Sequence, residues 1–206
     1  MIKLYDYWRS SASYRVRIVL GLADMQWDTQ PVNLLEAEQR SEAHLARNPQ
    51  GLVPVLEVDG HSLTQSLAQI EYLDETRKLG LLPATAIGRA EVRALSYAIA
   101  METHPVCNLN VVRWAVANSD NKITMEGWMR HFITQGLDAY EGMVSGGAYS
   151  YGESVSMADV CLRPQIYNAE RWGVDLGAYP NIARIHATLD AIPAFQHAHP
   201  DETPQG

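Results

Sequence analysis

Val53-Pro54-Val55-Leu56-Glu57-Val58-Asp59-Gly60-His61-Ser62-Leu63-Thr64 joins an apolar, valine-rich run to Asp59-Gly60, a strong hairpin dipeptide, with a second extended run behind it. Two antiparallel strands are expected here, Val53–Val58 and His61–Thr64. Downstream, Gln65–Thr76 has helical spacing, with Leu67, Ile70 and Leu73 as inward positions. Upstream, Ile2–Asp6 reads as a strand and Ser11 to Ala23 as a helix. Ile18, Val19 and Leu22 share a face of that helix with the stem of Arg15. Trp27–Leu34 reads as a strand and Glu36–Arg47 as a polar helix. The order β-α-β-α-β-β-α is that of a small mixed sheet with helices, α/β in class.

The second half changes character. After Gly80-Leu81-Leu82-Pro83 the pattern is helical throughout. Helices are expected over Ile87–Val116, interrupted at His104-Pro105, over Met125–Val144, over Ser156–Arg171 and over Pro180–Ala191. The start at Ser156 is the best marked, with Ser156 as N-cap and Asp159 three residues on. The 206 residues therefore divide into an α/β domain at 1–80, a linker at 81–88 and an all-helical domain at 89–206, with a frayed tail after Pro200.

Composition narrows the function. Hydrophobic content of 47% and charged content of 19% are those of a folded globule. A net charge of −8 argues against binding nucleic acid through a broad basic face. No apolar run approaches the roughly 18 residues of a membrane span, and the N-terminus opens into a strand pattern rather than a leader. Two cysteines, Cys107 and Cys161, without a C-x-x-C, argue against a disulfide framework, a thiol redox centre or a zinc site. A cytoplasmic protein is expected.

Three segments carry candidate chemistry. Trp8-Arg9-Ser10-Ser11-Ala12-Ser13-Tyr14-Arg15 follows the first strand and opens the first helix. Its hydroxyls stand beside free backbone N–H groups at the positive end of a helix, which suits an anion; a serine-rich cap accounts for the same residues. Gln65-Ser66-Leu67-Ala68-Gln69 offers Ser66 either as a cap with Gln69 at N3 or as a carboxylate clamp. Val53-Pro54 is a candidate cis bond that would present the Val53 backbone to an extended ligand.

Four stretches add a resemblance: Arg9-Ser10-Ser11-Ala12-Ser13-Tyr14-Arg15-Val16-Arg17-Ile18, Asn48-Pro49-Gln50-Gly51-Leu52-Val53-Pro54-Val55-Leu56, Gln65 to Glu75, and Met157-Ala158-Asp159 through Asn168-Ala169-Glu170-Arg171. Together they resemble the zeta class of glutathione transferases, from about Leu4 to Pro200. The resemblance implies a thioredoxin-like N-terminal domain followed by an all-α domain, and a homodimer that uses glutathione. It places Ser10 beside the glutathione sulfur, with Ser11, Ala12, Ser13, Tyr14 and Arg15 around it. Further glutathione contacts fall at Gln39, Val53, Gln65, Ser66, His104, Asn108, Leu109 and Asn110. Ser10, Ser11 and Arg171 are the implied catalytic residues, and Arg9, Arg171 and Arg113 the candidates for gripping an anionic substrate. The class usually carries cysteine where this chain has Ala12, which removes a protein thiol from the reaction and leaves the glutathione sulfur as the nucleophile.

Zeta-class members isomerise maleylacetoacetate to fumarylacetoacetate in tyrosine and phenylalanine catabolism. A thiolate adds to the activated double bond, the bond rotates, and the sulfur is expelled. Relatives that isomerise maleylpyruvate carry arginine just after H-P-x-x-N, where this chain has Leu109 and then Asn110. Glutathione conjugation or dehalogenation of small electrophiles such as α-halo acids, and a non-catalytic glutathione-binding scaffold, are the alternatives. Outside this set, His197 and His199 lie in a proline-flanked tail without further metal ligands. Trp114, Trp128 and Trp172 read as core or interface residues, and both cysteines as inert.

Overall fold

The computed structural model describes residues 1–144 and 146–203. In chain order the elements are β1 (Lys3–Asp6), α1 (Ser11–Leu22), β2 (Asp28–Pro31), α2 (Glu42–Arg47), β3 (Val55–Val58), β4 (His61–Thr64) and α3 (Ser66–Arg77). There follow α4 (Ala86–Tyr97), a π-helical segment (Ala98–Thr103), α5 (His104–Val106), α6 (Leu109–Ala117), α7 (Met125–Met143), α8 (Met157–Arg171), α9 (Pro180–Asp190) and α10 (Pro193–His197). Two compact units emerge: Met1–Gly80 together with the segment from Ala191 onward, and Leu81–Asp190.

The first unit is built on one sheet in the order β2-β1-β3-β4, with β1 and β2 parallel and the other pairs antiparallel. The parallel pair needs a crossover, which α1 supplies. Asp59 and Gly60 close the β3–β4 hairpin with φ of 51° and 80°, the left-handed pair that a two-residue turn demands. Leu4, Leu56, Val16, Ile18, Val19, Ile70 and Leu73 are buried. Leu22 and Leu67, expected to face inward, are half-buried.

Four expectations shift. β2 ends at Pro31, three residues early, and Val32 N–H instead donates to the Asp6 carbonyl at 2.7 Å. The expected helix over Glu36–Arg47 breaks into a 3₁₀ turn (Glu38–Arg40) and α2, because Ser41 adopts an extended conformation and its Oγ accepts from His44 N–H at 3.3 Å. The segment from Ala191 belongs to the first unit, not to a helical domain running to 206. It is tied there by buried Phe195 and by Ala194 against Gly21, where an added Cβ would come within 3.2 Å of Ala194 Cβ. Nor is the chain frayed directly after Pro200. Pro200–Glu202 form a 3₁₀ turn, and buried Thr203 donates to the His199 carbonyl at 3.0 Å. Residues 204–206 of that expected tail lie outside the described residues.

One ion pair organises this unit. Arg17 and Asp6 each have 2% of the side chain exposed, and Arg17 Nη1 reaches both Asp6 oxygens at 2.9 and 2.7 Å. Arg17 Nη2 donates to the Trp8 carbonyl at 2.9 Å and Nε to the Ala198 carbonyl at 3.0 Å. The guanidinium thus joins the end of β1, the following loop, α1 and the C-terminal segment.

The second unit is all helical among its described residues, with α8 as its buried axis. Ala158, Val160, Cys161, Leu162, Ile166 and Ala169 are fully buried there. Its N-terminus is capped as expected: Asp159 accepts from Ser156 N–H and Oγ and from Ser150 N–H, each at 2.8 Å. Burial raises the Asp159 carboxyl above its ordinary pKa, and those hydrogen bonds oppose the rise. The interruption before Pro105 takes the form of a π turn. His104 N–H donates to Ile99 O and Thr103 Oγ1 to Ala98 O at 3.0 Å. Gly136 of α7 lets this turn approach closely, since a Cβ there would overlap Thr103 Oγ1.

Removing one member of a buried ion pair strands the other. Arg17→Leu is therefore expected to lower unfolding free energy by about 3–5 kcal/mol. Asp6→Leu combined with Arg17→Leu is expected to recover part of that loss, and guanidinium denaturation curves measure both.

Candidate functional site

Ser10 stands where β1 gives way to α1. Its N–H donates to the Tyr7 carbonyl at 2.8 Å, and its extended backbone makes it the N-cap of α1. Oγ accepts from Ser13 N–H at 3.2 Å, so capping uses a lone pair while the hydroxyl proton has no partner among the described residues. Ser11 is buried at the first helical position, and Ser13 is fully buried with Oγ unpartnered among the described residues. Arg9 lies over the Trp8 ring at 4.4 Å and donates to Tyr7 Oη at 3.1 Å.

Arg15 carries its charge into the interior of this unit, where Nη1 donates to Ser66 Oγ at 3.3 Å. The contact joins α1 near its N-terminus to the first residue of α3. Two helix N-termini, each with backbone N–H groups and a positive dipole end, are thereby linked by a buried guanidinium. The arrangement suits a ligand with anionic groups. The helical pattern placed only the stem of Arg15 on an inward face; its link to Ser66 depends on how α1 and α3 pack.

Gln65, not Ser66, occupies the N-cap position of α3, with φ 66° and ψ 109°. A non-glycine residue in so sparsely populated a conformation marks a position that the surroundings force, and such positions cluster at functional sites. Its Nε2 donates to Gln50 Oε1 at 2.7 Å. Ser66 consequently does not pair with Gln69 as a capping box. Gln69 turns inward, its Nε2 donating to the Leu63 and Pro54 carbonyls at 2.7 and 3.2 Å. The Val53-Pro54 bond is cis. Gln39, in the 3₁₀ turn before α2, has a buried Oε1 with no partner among the described residues.

The remaining candidates belong to the second unit. His104 follows the π turn, and Asn108 caps α6 by accepting from Asn110 N–H at 3.0 Å. His104 and Leu109 are half-buried and Asn110 exposed. Arg113 is also exposed: Val112 is the residue that α6 buries, so the helix does not turn Arg113 inward. Trp114, expected in a core or an interface, is 71% exposed in the single chain. Arg171 ends α8 with its guanidinium 5.1 Å from the Trp172 ring centroid. The helix stops there because Gly173, at φ 68°, permits the bonds Gly173 N–H to Glu170 O (3.0 Å) and Val174 N–H to Ala169 O (2.9 Å). Arg130 Nε adds a bond to the Trp172 carbonyl at 2.8 Å.

Neither cysteine offers a nucleophile. Cys161 is fully buried, and burial pushes the Cys107 thiol up to about 11. His199, in the first unit, lies edge-on to Tyr14 at 6.0 Å and accepts from Asp201 N–H at 3.2 Å.

Residues 1–75 match the glutathione S-transferase N-terminal domain, the class to which this sheet and these helix N-termini correspond. Among curated relatives, maleylacetoacetate isomerase of Rhizobium meliloti is 56% identical over 96% of this chain and 95% of its own length. Its counterpart in Rattus norvegicus is 43% identical over 98% and 93%. Among solved structures, a zeta-class bacterial maleylpyruvate isomerase superposes with a TM-score of 0.94 at 36% identity, covering 99% of each chain. A maleylacetoacetate isomerase from Anaeromyxobacter dehalogenans with glutathione bound gives 0.89 at 42%, covering 99% and 97%. The chain belongs to the maleylacetoacetate isomerase family, within the zeta class of glutathione transferases.

Proposed function

We propose that this protein is a glutathione-dependent cis–trans isomerase converting maleylacetoacetate to fumarylacetoacetate in aromatic amino acid catabolism. The observation that carries the reading is the Arg15–Ser66 contact, which unites the N-termini of α1 and α3 in a chain so similar to curated isomerases. Glutathione fits the residues present: an unspent Ser10 proton, a forced backbone at Gln65, and the buried Gln39 Oε1 that lacks a partner among the described residues. When bound, glutathione supplies the thiolate that adds to the double bond and leaves after rotation.

The protein's part follows from its own groups. A thiol of ordinary pKa, about 8.5, is mostly protonated at neutral pH, so the protein must favour the anion. The Ser10 O–H, at the positive end of α1, serves that purpose by donating to sulfur, with Ser11 beside it. Ser66 and the first N–H groups of α3 hold a carboxylate, and Gln39, Val53 and Gln65 complete the contacts of the first unit. His104, Asn108, Leu109 and Asn110 are their counterparts in the second. Arg9 and Arg171 are assigned to the substrate's carboxylates, for which a planar guanidinium is the suitable partner. With Ala12 in place of cysteine, no protein thiol takes part.

We assign the protein to the cytoplasm and to a homodimeric state. In support of the dimer, α6 exposes Trp114 and, one turn earlier, Val111. Sedimentation equilibrium is expected to give twice 22.9 kDa; a monomer at micromolar concentration would contradict the assignment.

Ser10→Ala is expected to raise the pKa of bound glutathione and to reduce kcat more than glutathione affinity, as read by ultraviolet thiolate titration and steady-state kinetics. It also removes a cap bond, worth about 0.5–2 kcal/mol in stability. An unchanged titration would transfer the role to Ser11.

Leu109 and the outward Arg113 leave α6 without the arginine that maleylpyruvate isomerases carry after H-P-x-x-N. A higher kcat/KM for maleylacetoacetate than for maleylpyruvate is therefore expected, measured on one preparation. A preference for maleylpyruvate would reverse the substrate assignment.

A further inference from the structure

The segment before β3 is fixed by side chains in an unusual pattern. The Leu52 carbonyl accepts two bonds, from His44 Nε2 at 3.0 Å and from Asn48 Nδ2 at 2.9 Å. The Pro54 carbonyl accepts from Gln69 Nε2 at 3.2 Å. Between them, the N–H and C=O of Val53 meet no hydrogen-bonding partner among the described residues. One peptide residue is thus left open while both neighbouring carbonyls are held.

His44 and Asn48 are each 3% exposed, and Gln69 is fully buried. A carbonyl only accepts, so the proton of neutral His44 resides on Nε2. His44 Nδ1 is then a buried acceptor, and it has no partner among the described residues. An apolar side chain would fill this space without stranding a polar atom, so packing alone does not favour histidine here. What histidine adds is the bond to Leu52. Asn48 is committed in the same way: its Oδ1 accepts from Gln50 N–H at 3.1 Å, and its carbonyl accepts from Gly51 N–H at 2.8 Å. Gly51 has φ 63°, and an added Cβ would meet Arg40 Nη1 at 2.9 Å and the Gln39 carbonyl at 3.0 Å. The turn is therefore held from several sides.

We propose that His44 and Asn48 are positioning residues for glutathione, holding the Leu52 carbonyl so that the Val53 peptide is set in advance for a peptide-like ligand. The proposal rests on the reading of Val53 as a glutathione contact. Its physical basis is preorganisation: a backbone already fixed in its bound conformation loses little freedom on binding.

The test is calorimetric titration with reduced glutathione, beside glutathione KM and kcat. His44→Phe keeps an aromatic ring but removes the donor, and should raise Kd and KM about threefold to tenfold, the worth of one hydrogen bond. The kcat at saturating glutathione should fall less than twofold. His44→Gln, whose Nε2–H reaches a similar position, should restore affinity to within twofold of wild type. If His44→Phe loses its fold by circular dichroism, Asn48→Ala, which removes the second donor to the same carbonyl, carries the same expectation. Wild-type affinity in the donor-free variant, with Ser66→Ala weakened, overturns the positioning role and leaves the glutathione reading intact. Equal weakness of His44→Gln and His44→Phe also overturns the role, because packing rather than the donated bond would then be responsible. A wild-type chain that does not bind glutathione overturns both.

Discussion

The ion pair of Asp6 and Arg17 lies at the centre of the first unit's architecture. Asp6 is the last residue of β1, and Arg17 stands in the middle of α1; neither meets water to any extent. Such a pair is poor evidence of stability by itself, since desolvating two charges offsets most of their attraction. Its effect is geometric. Arg17 also holds the Trp8 carbonyl, and so fixes the loop that delivers Ser10 to the start of α1. Through the Ala198 carbonyl it reaches the C-terminal segment, which closes over α1. An apolar pair of the same volume would fill the space without directing any of these chain paths.

Arg15 extends the same device to a second charge. Two residues earlier on α1, its Nη1 donates to Ser66 Oγ, which ties α1 to the first residue of α3 in a chain whose net charge is −8. The N-terminal dipole ends of α1 and α3 are locally positive within this acidic chain. The forced backbone of Gln65 belongs to this arrangement. A residue at φ 66° is held there by the cross-link to Gln50 on one side and by the start of α3 on the other.

The second unit uses different means. Pro105 has no N–H to continue an α-helical ladder, and the chain before it widens into a π turn that Gly136 admits at close range. That turn sets where His104 emerges and where Asn108 begins α6. At the far end of α8, the left-handed Gly173 and the Arg130 bond to Trp172 fix the helix terminus that presents Arg171. Each end of α8 thus carries a short-range signal, Asp159 with Ser156 at one and Gly173 at the other, and the second end is also held by Arg130 from α7.

Features that depend on neighbours a few residues away were legible in the sequence. Asp59-Gly60 marked the hairpin, the 3.6-residue period marked most helices, and Ser156 with Asp159 marked the start of α8. The serine cluster at 10–13 and Gln65-Ser66 were recognisable as helix starts suited to capping or to an anion, and the resemblance of four stretches to the zeta class implied glutathione. Other features required the folded chain. Ser41 divided an expected helix by capping its second half, and Gln65 displaced Ser66 from the cap of α3. Arg113 faced outward because Val112 took the buried side of α6. The return of the C-terminal segment to the first unit was invisible to periodicity, since a helix pattern does not name its partner. Sequence by itself determined most of the elements, the Ser156–Asp159 cap and the residue types of the candidate site. Tertiary structure decided which buried polar atom meets which: Arg17 finds Asp6 eleven residues away and Ala198 at a separation of 181. The physical reason is range. Caps and turns are local hydrogen bonds, whereas a buried guanidinium takes its partners from whatever chain the closed core brings within reach.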